Sequence, residues 1–204
     1  MASEWALFVD GLADIDFTDG GKKIDAAASK AINKITRDKR ARAARLIRGQ
    51  VNLPARYVSP GSKRLWVSEK ATPSHLQGRI TARGRPTSLA RFIQGNARPG
   101  KSGVVVEVQP GKSRFMKRAF PIKLPQGSSG VDTKFNLGLA IRLRPGETLQ
   151  NKVRVRRVEK GLYLLYGPSV DQVFRSLDGT GVANDLVPEI ERDLETEFLR
   201  LLDL

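Results

Sequence analysis

Hydrophobic residues recur at helical spacing near both ends of the chain. Over residues 22–48 an apolar side chain returns every three or four positions, which predicts a long helix. The same spacing over residues 184–204 predicts a C-terminal amphipathic helix that Asn184 or Asp185 could cap. The apolar stripe of this second helix consists of Val187, Ile190, Leu194, Phe198 and Leu201.

Between these helices the pattern changes to short apolar segments separated by Pro and Gly. Strands are predicted at residues 65–67, 76–82, 89–93, 104–108, 115–124, 137–143 and 153–158. The intervening sequences PGKS, PQGSSG and RPGE are typical of the turns of an antiparallel meander. In the last strand the alternation predicts one buried face, with Val153, Val155 and, after a slip at Arg157, Val158, and one solvated basic face with Arg154 and Arg156. The predicted fold class is therefore α+β, with a mostly antiparallel β-sheet.

A strand-turn-helix corner is predicted at residues 161–174, GLYLLYGPSVDQVF. The apolar run over residues 162–166 has strand length, and Gly167 and Pro168 end it. Ser169 and Gln172 have the spacing of a capping box, so a helix should follow with Val170, Val173, Phe174 and Leu177 on one face. None of these residues is a typical nucleophile or metal ligand, so the corner is predicted to be a packing element.

Three segments are predicted along the chain. Residues 1–21 are apolar as well as acidic, which indicates an arm or strand that docks in its own subunit or in a neighbour. Residues 22–182 form the α+β core domain, and residues 183–204 form the acidic amphipathic helix.

Charge is strongly segregated along these segments. The net charge is −5 over residues 1–21, +26 over residues 22–160 and −6 over residues 161–204, which gives +15 in total. A basic centre between acidic ends indicates either a nucleic-acid surface or charge pairing between copies of the chain. A subunit or nucleic-acid contact is predicted for the basic residues of the first helix, Arg37, Lys39, Arg40, Arg42, Arg45 and Arg48.

A second basic segment, residues 112–123, contains Phe115 and Phe120 among lysines and arginines. Such a segment could track phosphates and stack bases on its aromatic rings. We favour a strand whose two phenylalanines face the core.

No catalytic, cofactor-binding or metal-binding residue is predicted. The chain has no cysteine and one histidine, His75, and no glycine-rich turn leads into the Lys-Ser/Thr start of a phosphate-binding helix. No apolar run approaches the roughly 20 residues of a membrane helix, and the N-terminus lacks a basic secretory leader, so a soluble, unexported protein is expected.

The decapeptide LYGPSVDQVF resembles the closing signature of the minor tail protein Z family, the tail-completion proteins of lambda-like long-tailed phages. TSLARF, KRAFPIKL and LGLAIRLRPGE occur upstream in the same order as in that family. The signature positions are Leu165, Tyr166, Gly167, Pro168, Ser169, Val170 and Phe174.

The resemblance implies a non-enzymatic virion protein of the tail or neck, assembled in the host cytoplasm without a cofactor and needed for head-tail joining. Because such tails are six-fold, it implies a homo-oligomeric, hexameric ring between the tail terminator or tail tube and the head-tail connector, around a channel where the ring could contact genomic DNA. In such a ring the C-terminal apolar stripe is predicted to contact the adjacent copy. The alternative is a basic, sequence-nonspecific nucleic-acid-binding protein.

Overall fold

The computed structural model describes residues 6–8, 21–95, 103–124, 137–149, 155–175 and 181–202. The fold is α+β, as predicted, with a long N-terminal helix, antiparallel sheets and a C-terminal helix. The chain forms two compact units. The first unit combines Met1–Arg48, Pro54–Arg85 and Val170–Leu204, and the second combines Gly49–Leu53 with Pro86–Ser169. This division differs from the predicted three segments, because the two terminal helices belong to the same unit.

The first unit is built on the long helix α1 (Gly21–Gln50). It also contains α2 (Val170–Arg175), α3 (Val182–Leu201) and an antiparallel sheet in the order β1 (Ala6–Phe8), β3 (Arg79–Ala82) and β2 (Leu65–Glu69). The buried side of α1 is mostly apolar and includes Ala28, Ala31, Ile32, Ile35, Ala43 and Ile47. The period of these positions is that of an amphipathic helix, which explains why the N-terminal helix could be predicted.

Two features of the first unit settle predictions about the chain's ends. The strand β1 pairs with β3, so this part of the acidic arm docks in its own subunit. The helix α3 begins at Val182 behind an extended Gly181, so the prediction that Asn184 or Asp185 caps it is wrong. Both residues lie in the first helical turn, because the extended glycine starts the helix earlier.

The second unit contains eight strands in two antiparallel sheets among the described residues. The larger sheet has the order β10 (Val155–Glu159), β11 (Leu162–Gly167), β9 (Leu137–Arg142) and β8 (Ala119–Lys123), and β4 (Thr87–Ser88) also pairs with β11. The smaller sheet has the order β5 (Ile93–Gln94), β6 (Val104–Gln109) and β7 (Lys112–Met116). Ala140, Leu162 and Leu164 form a buried cluster, against which Phe120, Ile122, Leu124 and Tyr166 pack.

Three strand predictions in the second unit need correction. The segment predicted as a strand at 89–93 is a 3₁₀ turn, Leu89–Phe92, that the Ser88 hydroxyl caps by accepting from the Ala90 amide. The single strand predicted at 115–124 is divided between β7 and β8 by a turn at residues 117–118. Val158 is exposed rather than buried, because the register of β10 against β11 shifts between Arg157 and Glu159.

Candidate functional site

The strand-turn-helix corner forms where the sequence predicts it. Strand β11 ends at Gly167 and helix α2 begins at Val170. Leu165, Ser169, Val170 and Phe174 are buried, with Phe174 only 3% exposed. Tyr166 and Pro168 are half-buried. These burials agree with the prediction that the corner is a packing element.

Gly167 has a steric role in this corner. A Cβ atom at this position would lie 3.1 Å from Cε2 of Phe92 and 3.3 Å from Cδ2 of Leu89. Phe92 is itself buried, so its ring has little room to retreat. The signature glycine therefore allows strand β11 to approach the 3₁₀ turn closely.

Asp171 is a buried charge in the signature for which the sequence analysis predicts no role. Its backbone amide donates to the Arg83 carbonyl oxygen at 3.2 Å, and its carboxylate accepts from Nε of Arg175 at 2.8 Å. The i, i+4 spacing of Asp171 and Arg175 is the sequence signal that could have revealed this ion pair. The ion pair stabilises α2 internally, and the backbone hydrogen bond from Asp171 to Arg83 links α2 to the residue that follows β3.

The acidic helix α3 binds the basic helix α1 of the same chain. The Lys39 ammonium lies 2.9 Å from a Glu189 carboxylate oxygen and 2.6 Å from one of Asp193. The Lys34 ammonium lies 2.5 Å from the Glu197 carboxylate. Charge pairing of this kind is predicted above between copies, and at these residues it occurs within one subunit.

These contacts shift the pKa values of the groups involved. Burial alone would lower the pKa of Lys39, but hydrogen bonds to Asp193 and Glu189 raise it above its usual range. The hydrogen bonds from Lys39 in turn lower the pKa of Glu189 and of Asp193. Hydrogen bonds from Arg200 and then Lys34 lower the pKa of Glu197 to about 2. All of these groups therefore stay charged at neutral pH.

Arg40 is buried within the first unit and is not a surface contact. Its Nε donates to the Leu65 carbonyl oxygen at 2.9 Å, and one of its terminal nitrogens donates to the Val58 carbonyl oxygen. Burial lowers the pKa of this guanidinium. The prediction that Lys39 and Arg40 contact a partner is therefore wrong, because both side chains stabilise the subunit itself.

The other four predicted contact residues remain on the surface of α1. Arg37, Arg42, Arg45 and Arg48 are all exposed, as is Lys30 on the same helix. Arg42 lies 3.7 Å from Glu189, at the margin of the contact with α3. We define the basic face of α1 as Lys30, Arg37, Arg45 and Arg48.

The predicted oligomer stripe of α3 is mostly core. Ile190, Leu194 and Phe198 are between 6% and 8% exposed. Leu201 is half-buried, whereas Val187 is 40% exposed. The prediction that this stripe contacts a neighbouring copy therefore fails for the three buried residues, since their apolar surface is already used within the subunit.

The hairpin formed by β6 and β7 exposes an aromatic side chain. Phe115 is 62% exposed, so the prediction that it faces the core is wrong, whereas Phe120 packs against the buried cluster of the larger sheet. Residues Lys112–Phe115 of β7 are all exposed, so neither face of this part of the strand is covered. Side chains alternate along a strand, so Lys112 and Arg114 project from the face opposite to Phe115.

The only histidine of the sequence makes a surface hydrogen-bond contact. Nε2 of His75 lies 2.9 Å from a carboxylate oxygen of Glu69. Over the part of the chain that the structure describes, no group of three or more His, Asp or Glu residues could hold a metal ion. Within the same residues, no helix has both the length and the apolar character needed to cross a membrane.

Comparison of the chain with protein-family models, with curated proteins and with solved structures found no match. A function can therefore be inferred from three observations: the resemblance of the corner sequence, the fold of the chain and its charged surfaces.

Proposed function

We propose that the chain is a structural virion protein that completes the tail of a long-tailed phage. It would form a ring at the head-proximal end of the tail and be needed for joining the tail to the head-tail connector. In this proposal the protein carries out no catalytic step and needs no cofactor.

The observation that carries this proposal is the corner with the sequence LYGPSVDQVF. Its strand, turn and helix lie where the apolar run, the Gly-Pro break and the capping-box spacing predict them, and the same decapeptide resembles the closing signature of the minor tail protein Z family. Five of its signature residues are buried: Leu165, Gly167, Ser169, Val170 and Phe174. Such a motif constrains the fold of the subunit, which is what a family signature in an assembly protein is expected to do.

Deletion of the gene from the phage or prophage that encodes the chain tests the proposal. We expect filled heads and separate tails in negatively stained lysates, with joined particles restored when the chain is supplied from a plasmid. A plasmid copy that carries Phe174→Ala should rescue poorly, and one that carries Arg156→Gln on exposed β10 should rescue normally. Joined, infectious particles in the absence of the chain would refute the proposal.

Nonspecific nucleic-acid binding is a second candidate, because one observation favours it. Phe115 is exposed on strand β7, which also exposes Lys112 and Arg114, and an exposed aromatic ring can stack on a base. Against it, the alternation of side chains separates the ring from those two cations. Fluorescence anisotropy with a single-stranded oligonucleotide tests the candidate. Phe115→Ala should weaken binding if the ring stacks, whereas equal affinity for wild type and variant would exclude that role.

A further inference from the structure

Each of the two paired helices keeps a second charged face exposed. On α3 the residues Val187, Glu191, Glu195 and Leu199 follow one another at intervals of four, and all are exposed; we call this row the acidic ridge. On α1 the corresponding surface is the basic face, Lys30, Arg37, Arg45 and Arg48. The two surfaces carry opposite charge, and both belong to the first unit.

The acidic ridge is distinct from the acids that bind α1 within the subunit. Glu191 lies two positions after Glu189 and two before Asp193. Two positions correspond to a rotation of about 200° around an α-helix, so Glu191 points away from the side on which Lys39 is bound. The acidic ridge therefore does not contact the α1 helix of its own chain.

The basic face is separated from the intramolecular contact in the same way. Arg37 lies two positions before Lys39, and the same rotation of about 200° turns it away from α3. Arg37, Ala41 and Arg45 form an i, i+4, i+8 row whose central side chain is small. Such a row leaves a shallow groove, flanked by two cations, that a helix ridge can enter.

The acidic ridge has the composition that such a groove would accept. Its two glutamates can face the two arginines, and charge complementarity of this kind steers and orients association. Val187 and Leu199, which are 40% and 42% exposed, lie at the two ends of the ridge. Covering them would remove apolar surface from water.

We propose that the acidic ridge of one copy docks on the basic face of α1 in the next copy. The inference rests on the ring-forming role proposed above and names the contact that would build the ring. Because two different surfaces meet, the contact is heterologous, and repetition of it produces a closed ring or a filament. It extends the α1–α3 pairing seen within one subunit to neighbouring subunits.

Charge reversal in the full-length protein tests this contact. One variant carries Glu191→Lys and Glu195→Lys, and a second carries Arg37→Glu and Arg45→Glu. A control carries Arg156→Glu and Arg157→Glu, which changes the net charge as much as the second variant does but on exposed strand β10 of the second unit. Circular dichroism and thermal melting establish that each protein is folded, and sedimentation velocity and native mass spectrometry give the size of its assemblies.

We expect wild type and control to assemble and each helix variant alone to remain monomeric. An equimolar mixture of the two helix variants should regain assembly, because every interface between unlike copies again pairs Glu with Lys or Arg. Native mass spectra of the mixture should then contain only even-numbered rings with alternating variants. Recovery in the mixture is a result that simple misfolding of either variant would not produce.

Several results would overturn the contact. These are a monomeric wild type, helix variants that assemble like wild type, or a mixture that fails to regain assembly. Loss of oligonucleotide binding in the Arg37→Glu, Arg45→Glu variant with assembly intact would instead identify the basic face as a polyanion surface. The gene-deletion experiment judges the proposed tail role separately, so rings in solution without a joining defect would refute that role and leave the contact standing.

Discussion

Replacement of Lys39 by Met should destabilise the first unit, because one ammonium holds two carboxylates of α3. Methionine keeps the length and the flexible apolar stem of lysine but removes its charge and its three donors. The Lys39 side chain is 6% exposed, whereas those of Glu189 and Asp193 are 30% and 35% exposed. The substitution therefore leaves two like charges close together, with water able to reach both.

The expected cost follows from these exposures. Removing one member of a fully buried ion pair costs about 3–5 kcal/mol, and a hydrogen bond to a charged group contributes about 1.5–3 kcal/mol. Because water solvates the two acids in part, we expect the free energy of unfolding to fall by about 2 kcal/mol. For a protein of this size that corresponds to a decrease in Tm of about 4–8 °C. Guanidinium denaturation and thermal melting measure both quantities.

The pH dependence provides an independent check on the same ion pairs. Because Lys39 lowers the pKa of Glu189 and Asp193, their stabilising effect is present above their ordinary pKa of about 4 and is lost as pH falls through the folded-state values. The raised pKa of Lys39 has the opposite sign, so its contribution is lost only as pH rises through that value. Both dependences should weaken in Lys39→Met.

Lys23→Met is the matched control, since this exposed lysine lies on the same helix and outside the basic face of α1. It should change the free energy of unfolding by less than about 0.5 kcal/mol. If Lys39→Met melted with the wild type and kept its loss of stability on the acid side, the ion pairs would not hold α3 on α1 and the reasoning would be wrong.

Three further substitutions test other contacts, each by chemical denaturation. Arg40→Met leaves two buried carbonyl oxygens without their guanidinium donor and should lower the free energy of unfolding by about 2–5 kcal/mol. A decrease of less than about 1 kcal/mol would mean that water replaces the guanidinium. Phe174→Ala empties a buried site and should cost about 3–5 kcal/mol, and unchanged stability would contradict a core role. Gly161→Ala places a side chain on a residue whose φ is 75° and puts its Cβ 3.1 Å from the Leu143 carbonyl oxygen. This substitution should lower the free energy of unfolding by about 1–2 kcal/mol. Gly61→Ala is the control and should leave the free energy of unfolding unchanged, because there is open space around that position.

The helices could be predicted because their signal is repeated many times. Each turn of α1 and α3 adds another apolar residue at the right spacing, so an error at one position does not change the interpretation. The corner was predictable for a related reason, since Gly167 and Pro168 end a strand for local steric reasons. The strand predicted at 89–93 was wrong because a 3₁₀ turn interrupts an apolar run without changing its composition. The single strand predicted at 115–124 was wrong because the turn at 117–118 is a Lys-Arg pair without the Gly or Pro that marks most turns.

The surfaces were harder to predict than the elements, because burial depends on which element is the neighbour. Lys39 and Arg37 are both basic residues of one helix, and only the position of α3 makes the first an internal ion-pair partner and leaves the second exposed. Phe115 is exposed for the same reason, since no element covers its face of β7. The opposite charges are visible in the sequence, but charge alone does not divide them between contacts within a subunit and contacts to a partner.

That division constrains how copies of this chain can assemble. Glu189, Asp193 and Glu197 form ion pairs within the subunit, so these three acids do not contribute to a contact with a partner.

The net charge of the chain opposes association at long range. With a net charge of +15, two copies repel each other at distances where only the total charge is felt. Attraction must therefore come from local contacts closer than the Debye length, about 8 Å at physiological salt, where Glu191 and Glu195 can act on individual cations. If copies form the proposed ring, its excess positive charge would attract a polyanion such as DNA. The proposed self-association and any affinity for nucleic acid would both draw on this charge layout, and variants that change the acidic ridge and the basic face separately distinguish them.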